Sequence, residues 1–255
     1  MENIILSKYK IIEVYKNESK SVFSYVAIEK AIKLFINNEE YVTFMCTPSN
    51  IKELVFGFLY NSGIIDNICH IQNFIYDEKE SIVNLLINQE IKSNKLQTKF
   101  PNNAIEKRKN VKNYENSLTI TKELILKNLE WFQSSSDTYK LSKSVHSAAI
   151  SSKGEMPQTV LEDVARHNVF DKVIGYALLN NYDLKESIIF CTSRVSTEII
   201  NKAIMSQISM LVSLKPATTN AIDNARKYGL TLITCSKDNK LYILSSMEKN
   251  YYNEN

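Results

Sequence analysis

From residue 122 onward, short β-branched runs alternate with amphipathic stretches of helical period, and this alternation constrains the fold more than any other feature. Helices are predicted over residues 122–132, from Arg166, over 196–209 and over 218–228. Strands are predicted near 146–151, 159–163, 187–191, 210–213, 230–235 and 241–244. Strands separated by helices of this length imply an α/β fold, a three-layer α/β sandwich.

The first part of the chain reads as a meander. Residues 9–15, 22–28 and 41–45 are rich in β-branched and aromatic side chains and predict strands. Thr47-Pro48 then predicts a helix start, with Thr47 as N-cap and Pro48 in the first turn. Leu54, Val55, Phe58 and Leu59 form its apolar face, and Gly63 ends it. Residues 71–76 and 82–87 form a hairpin split by Asp77-Glu78-Lys79-Glu80. Between residues 91 and 116 periodicity fails, and seven lysines and arginines stand among Asn, Ser and Gln. The expected organisation is therefore a smaller, mostly β N-terminal lobe (1–90), a mobile basic loop (91–116) and an α/β domain (117–255). The loop reads as a solvated linker or as a surface for an acidic partner.

Composition narrows the chemistry. With 5 glycines there is no G-x-G-x-x-G and no G-K-[ST] loop, which excludes the Rossmann and P-loop nucleotide enzymes. The 4 cysteines form no C-x-x-C pair, and His70, His146 and His167 have no zinc-binding spacing, so no zinc is expected. A zinc nucleobase deaminase is excluded because Ser147 and Ala148 follow His146 where H-x-E is required. A net charge of +3 does not call for nucleic acid. No apolar run approaches a signal peptide or a membrane span, so no membrane and a cytoplasmic location are expected.

In an open α/β sheet, ligands collect beyond the carboxyl ends of the strands, at helix N-termini. Three corners qualify. The first is residues 163–171, where Arg166, His167 and Asp171, with Lys172 next to them, make a basic opening to a helix whose N-terminus favours anions. The second is Cys191-Thr192-Ser193-Arg194-Val195-Ser196, and the third Cys235-Ser236-Lys237-Asp238-Asn239-Lys240. Together they offer cations, hydroxyls and backbone donors for a phosphate or pyrophosphate. Each has a plainer alternative. The third is also a hairpin turn with lysines for solubility, and Arg194 has a carboxylate in reach at Glu198. Asp171 and Lys172 make an internal ion pair in that reading, and His146 a hydrogen-bonded core residue.

Residues 162–168 (EDVARHN) with 171–175 (DKVIG) resemble the hallmark of the FdhD/NarQ formate dehydrogenase accessory proteins. Met45-Cys46-Thr47-Pro48, Glu53-Leu54, Gly57-Phe58-Leu59, Ser62-Gly63-Ile64-Ile65, Val145-His146-Ser147-Ala148-Ala149, Ser193 to Glu198 and Leu230 to Ile233 fit in the same order. The resemblance implies a cytidine-deaminase-like α/β domain without its zinc, in a homodimer. It implies binding of the molybdenum bis(molybdopterin guanine dinucleotide) cofactor, with GDP as a mimic. It also implies sulfurtransferase activity, taking sulfur from a cysteine desulfurase, and delivery of the sulfurated cofactor to formate dehydrogenase. Its guanine-nucleotide segment falls on residues 235–240, and His146, Arg166, Asp171, Lys172 and Arg194 join it as expected cofactor-binding residues. The family carries sulfur on a C-x-x-C loop between the lobes, whereas this chain has no cysteine between Cys69 and Cys191. Ser193 also stands where the family has glycine, and Lys237 where it has arginine.

Overall fold

The computed structural model describes residues 5–88, 118, 120–236, 238 and 240–245. The expected basic loop at 91–116 lies outside the described residues. The chain opens with a ribbon of two antiparallel strands, β1 (Leu6–Tyr15) and β2 (Glu18–Ala27), which form a sheet of their own. A second sheet follows from β3 (Lys30–Ile36), β4 (Glu39–Cys46), β5 (Ile71–Asp77) and β6 (Ile82–Ile87), in the order β4-β3-β6-β5. Alternation along β3 turns Ile32, Leu34 and Ile36 inward while Ala31 and Lys33 face solvent. Against that inner face lies α1 (Ile51–Asn61), with Leu54, Val55 and Leu59 fully buried.

The expected start of α1 needs correction. Thr47 does not cap it; Asn50 does, in the left-handed conformation at φ 52° that Asn tolerates better than most residues. Thr47 is fully buried and its hydroxyl is engaged elsewhere. Gly63 ends the segment at φ 69°, as expected for a left-handed stop.

The larger sheet begins after α2 (Lys122–Ser135) and the short α3 (Asp137–Ser142). Its strands are β7 (His146–Ser152), β8 (Val160–Asp163), β9 (Ser187–Cys191), β10 (Met210–Ser213), β11 (Thr231–Cys235) and β12 (Leu241–Ser245), ordered β12-β11-β10-β9-β7-β8. The helices between them are α4 (Arg166–Leu179), α5 (Thr197–Ser206) and α6 (Thr219–Tyr228). Successive residues of β9 divide the core. Ile189 and Cys191 join the cluster under α4, α5 and α6, and Ile188 and Phe190 join the one under α2. Covered on both faces, β9 carries the unbroken apolar run of a buried strand. This is the three-layer α/β sandwich read from the alternation, with a smaller, mostly β lobe attached.

The attachment is a helix crossing. α1 packs on α4, and the backbones touch there because both crossing points are glycine. A Cβ on Gly57 would lie 1.8 Å from the carbonyl oxygen of Asp171, and one on Gly175 would lie 1.9 Å from that of Glu53. No side chain fits between them. Buried between the sheet and α1, α4 is covered along nearly its whole length.

Candidate functional site

Strand directions decide what meets at the edge of the large sheet. β7 is antiparallel to β8 and β9, pairing His146 with Asp163 and Ala148 with Cys191. β9, β10 and β11 are parallel, with Cys191 beside Ser213 and Ser213 beside Thr234. β12 returns antiparallel from Leu241, beside Cys235. One edge therefore collects His146, Asp163, Cys191, Ser213 and Cys235, and α4, α5 and α6 start just beyond it. All three expected corners stand on this edge.

The three helix N-termini share a second property. Ala165, Ser196 and Thr218 occupy the N-cap positions, and none makes a side-chain cap bond. α4 and α6 also have no acidic residue in the first turn. The first turns of α4 and α6 thus carry no carboxylate of their own, which suits an anion, while at α4 the Asp163 carboxylate, itself paired with Lys172, accepts from the N–H of Ala165 at 2.9 Å. The loops leading into α5 and α6 are tied together. Val195 donates its N–H to the oxygen of Pro216 (3.2 Å), and Thr218 donates to the oxygen of Val195 (3.0 Å).

At the β8–α4 corner, Arg166, His146 and His167 crowd together. His167 Nε2 lies 3.0 Å from Glu198 Oε2. Burial, then the charge of Lys202, bring its pKa down to about 4, against the opposing pull of Glu198. Burial followed by the charge of Arg166 also lowers that of His146. Both rings are neutral near pH 7, so His167 donates a hydrogen bond to Glu198 rather than forming an ion pair. Glu198 is thereby engaged by His167, which answers the alternative that paired it with the exposed Arg194.

Three side-chain atoms of this region are buried without a hydrogen-bond partner among the described residues: Arg166 Nε, Ser193 Oγ and Ser196 Oγ. An unsatisfied buried donor or acceptor costs about 1–3 kcal/mol. The first belongs to the opening turn of α4, and the two hydroxyls to the loop entering α5. Such an edge has donors to spare for a ligand rich in acceptor oxygens.

Asp171 and Lys172, expected at the cofactor, both have partners within the protein. Lys172 is fully buried and faces the lobe seam, where its Nζ lies 2.6 Å from Asp163 Oδ2. It also donates to the oxygen of Thr47 (3.2 Å), Thr47 Oγ1 (3.0 Å) and the oxygen of Glu162 (3.1 Å). Asp171 pairs with Lys202 and accepts from Asn61 Nδ2 at 2.7 Å, and Asn61 in turn accepts from Ser206 Oγ at 2.7 Å. Burial pushes the Asp171 carboxyl above its usual range, with Lys202 and Asn61 opposing. Nor do the two make the internal pair of the plainer alternative, because each is matched to a different residue. With Asn168, which donates to the oxygen of Met45 (2.7 Å) and to Asp163 Oδ1 (3.2 Å), they staple α4 to the small lobe and to α5.

The last corner is a turn closed by Ser236, whose N–H donates to the oxygen of Lys240 (2.9 Å) while Lys240 donates back to Ser236 Oγ (3.3 Å). Asp238 sits in the turn, and Lys237 and Asn239 lie outside the described residues. β11 stands four strand spacings from β8, about 19 Å. A small anion cannot touch both corners; an extended one can.

The thiols are poorly suited to nucleophilic chemistry. Burial lifts Cys46 to about 12 and also raises Cys191 and Cys235. Cys69 alone among the four is exposed. Sequence reasoning placed Ser196 in the second corner and set Glu198 beside Arg194 rather than His167, and it left out Lys202, which nothing in the sequence marks.

Among known proteins, a sulfur carrier protein FdhD from Bacillus licheniformis is 28% identical, covering 97% of this chain and 98% of its own. A protein FdhD from Methanocaldococcus jannaschii is 27% identical over 95% of this chain and 97% of its own. A crystal structure of a protein from Desulfotalea psychrophila, assigned as a formate dehydrogenase accessory protein, superposes with a TM-score of 0.80 at 19% identity. It covers 97% of this chain and all of that one, and shows the same fold. The FdhD/NarQ family pattern matches residues 27–250, and the chain belongs to the FdhD/NarQ family.

Proposed function

We propose that this chain is a formate dehydrogenase accessory protein that binds the molybdenum bis(molybdopterin guanine dinucleotide) cofactor along the sheet edge for delivery to the enzyme, in the cytoplasm. The carrying observation is the set of unpartnered buried polar atoms, Arg166 Nε, Ser193 Oγ and Ser196 Oγ, beside three helix N-termini without side-chain caps. In this reading the pyrophosphate oxygens accept from the helix N–H groups and from Arg166. Neutral His146 and His167 offer donors and acceptors to the pterin without adding charge. Arg194 and the turn 235–240 hold the nucleotide end, and the length of the edge matches an elongated dinucleotide rather than free phosphate. No described helix is long and apolar enough to cross a membrane.

The cofactor, and not the sulfur, is the cargo in this reading. Three of the four thiols are buried with raised pKa, and no cysteine stands between residues 69 and 191. The name sulfur carrier borne by relatives of nearly full length favours a second reading, with exposed Cys69 as the acceptor from a cysteine desulfurase.

Calorimetry with GDP and labelling with sulfur from a desulfurase separate the two. GDP is expected to bind, Arg166→Ala to weaken it at least about tenfold, and the chain to stay unlabelled. Label that disappears in Cys69→Ser would establish the second reading. Absence of GDP binding to the unmodified chain would remove the first.

A further inference from the structure

We propose that anion binding at this edge is coupled to proton uptake by His167, which turns its hydrogen bond to Glu198 into an ion pair. The inference rests on the function proposed above, because the anion is the pyrophosphate assigned there to Arg166. Of the three helix N-termini on the edge, only that of α5 carries an acid in its first turn, Glu198. A carboxylate at that position works against an incoming phosphate. Its Oε2 lies 3.0 Å from His167 Nε2, and the two side chains are 42% and 33% exposed, so a proton reaches the pair from solvent.

The surroundings of the ring explain why it is neutral without an anion. Burial is the largest influence against its charged form. Lys202 on α5 adds to it, with its Nζ 3.4 Å from the backbone oxygen of His167, although that ammonium is matched to Asp171. Glu198, also on α5, pulls the other way, while Arg166 on α4 and His146 on β7 again oppose a charged ring. A pyrophosphate on Arg166 shifts this balance. It offsets the guanidinium charge and brings negative charge of its own to the ring. The proton then cancels the Glu198 charge that opposed the anion. By reciprocity, the factor by which the anion strengthens proton binding is the factor by which the proton strengthens anion binding. The empty site titrates at about 4 and the loaded one higher, so within that window binding takes up a proton and tightens as pH falls. At pH 7.5 the ring stays neutral, loaded or empty. His146 is the competing titrator, since it also faces Arg166. The carboxylate beside it, Asp163, is already paired with Lys172 at 2.6 Å and has no charge to spare.

Calorimetry of the full chain with diguanosine pyrophosphate tests this. The diester pyrophosphate of that probe keeps its charge across the range, unlike the terminal phosphate of GDP, which titrates near about pH 6. Affinity is expected to rise about tenfold from pH 7.5 to 5.5. Titrations at pH 6 in two buffers of different ionisation enthalpy should show net proton uptake by the unmodified chain. His167→Gln, whose amide still donates to Glu198, should abolish the uptake and flatten the profile. Glu198→Gln should tighten binding at pH 7.5 by about two- to fivefold, a sign that a purely structural role does not produce. Binding without proton uptake, uptake that survives in His167→Gln but not in His146→Gln, or a Glu198→Gln chain that binds no tighter would overturn the inference and leave the proposed function standing. A dinucleotide that binds at no pH would remove both.

Discussion

The first and second turns of α4 carry nearly the same chemistry and serve opposite ends. Arg166 and His167 open the helix at the sheet edge, and Asp171 and Lys172 follow one turn later at the lobe seam. In the second turn every charge is matched: Lys172 to Asp163, Asp171 to Lys202, with Asn61, Ser206 and Thr47 filling the remaining positions. In the first turn Arg166 Nε has no partner among the described residues, and the cap position is an alanine. Saturation marks architecture and deficit marks a place for something else, since buried donors are otherwise satisfied. In the function proposed above, one helix thus separates holding the molecule together from holding a ligand.

The largest expected effect tests the seam. Gly57→Ala or Gly175→Ala forces a methyl into a backbone contact below 2 Å, and each should cost more than about 4 kcal/mol in urea unfolding or abolish soluble protein. Near-normal stability would show that the two helices can separate freely. Next, Lys172→Met strands buried Asp163 and should cost about 3–5 kcal/mol, with Asp163→Asn in the same chain restoring part of it. Arg166→Ala should instead leave stability within about 1 kcal/mol while weakening GDP. If unfolding midpoints fall alike for Arg166→Ala and Lys172→Met, the contrast between the two turns collapses.

The smallest effect is a pH dependence. The pKa of His167 drops to about 4 on folding from an ordinary value of 6.5, so between these values the unfolded chain binds more protons. Stability should be complete above pH 6.5 and fall as pH drops toward 4. With the ring partly exposed, solvent screening leaves on the order of 1–2 kcal/mol. His167→Gln should flatten the profile between pH 7.5 and 5 in denaturant titrations; an unaltered slope would place the proton uptake elsewhere.

The second half of the fold was legible because each strand is an apolar run and each helix carries a clear period. The edge followed from that order alone, since parallel strands carry their helices to one side. The first half was harder. β3, reading Lys30-Ala31-Ile32-Lys33-Leu34-Phe35-Ile36, mixes good helix formers with strand formers and was passed over. Thr47-Pro48 has every local mark of a helix start, yet Thr47 is drawn into the seam by Lys172, 125 residues away. The partners of Asp171 and Lys172 were illegible for the same reason. A polar residue on a buried helix looks identical in one dimension whether it meets a ligand or a neighbouring lobe.

The link between the loops at Val195 and Ala217 has its own consequence. Because one hydrogen-bonded rung joins the mouths of α5 and α6, neither can drift without dragging the other. In the proposed function, a guest arriving there would meet a socket whose two walls are already spaced, so little of its grip would be lost in freezing them.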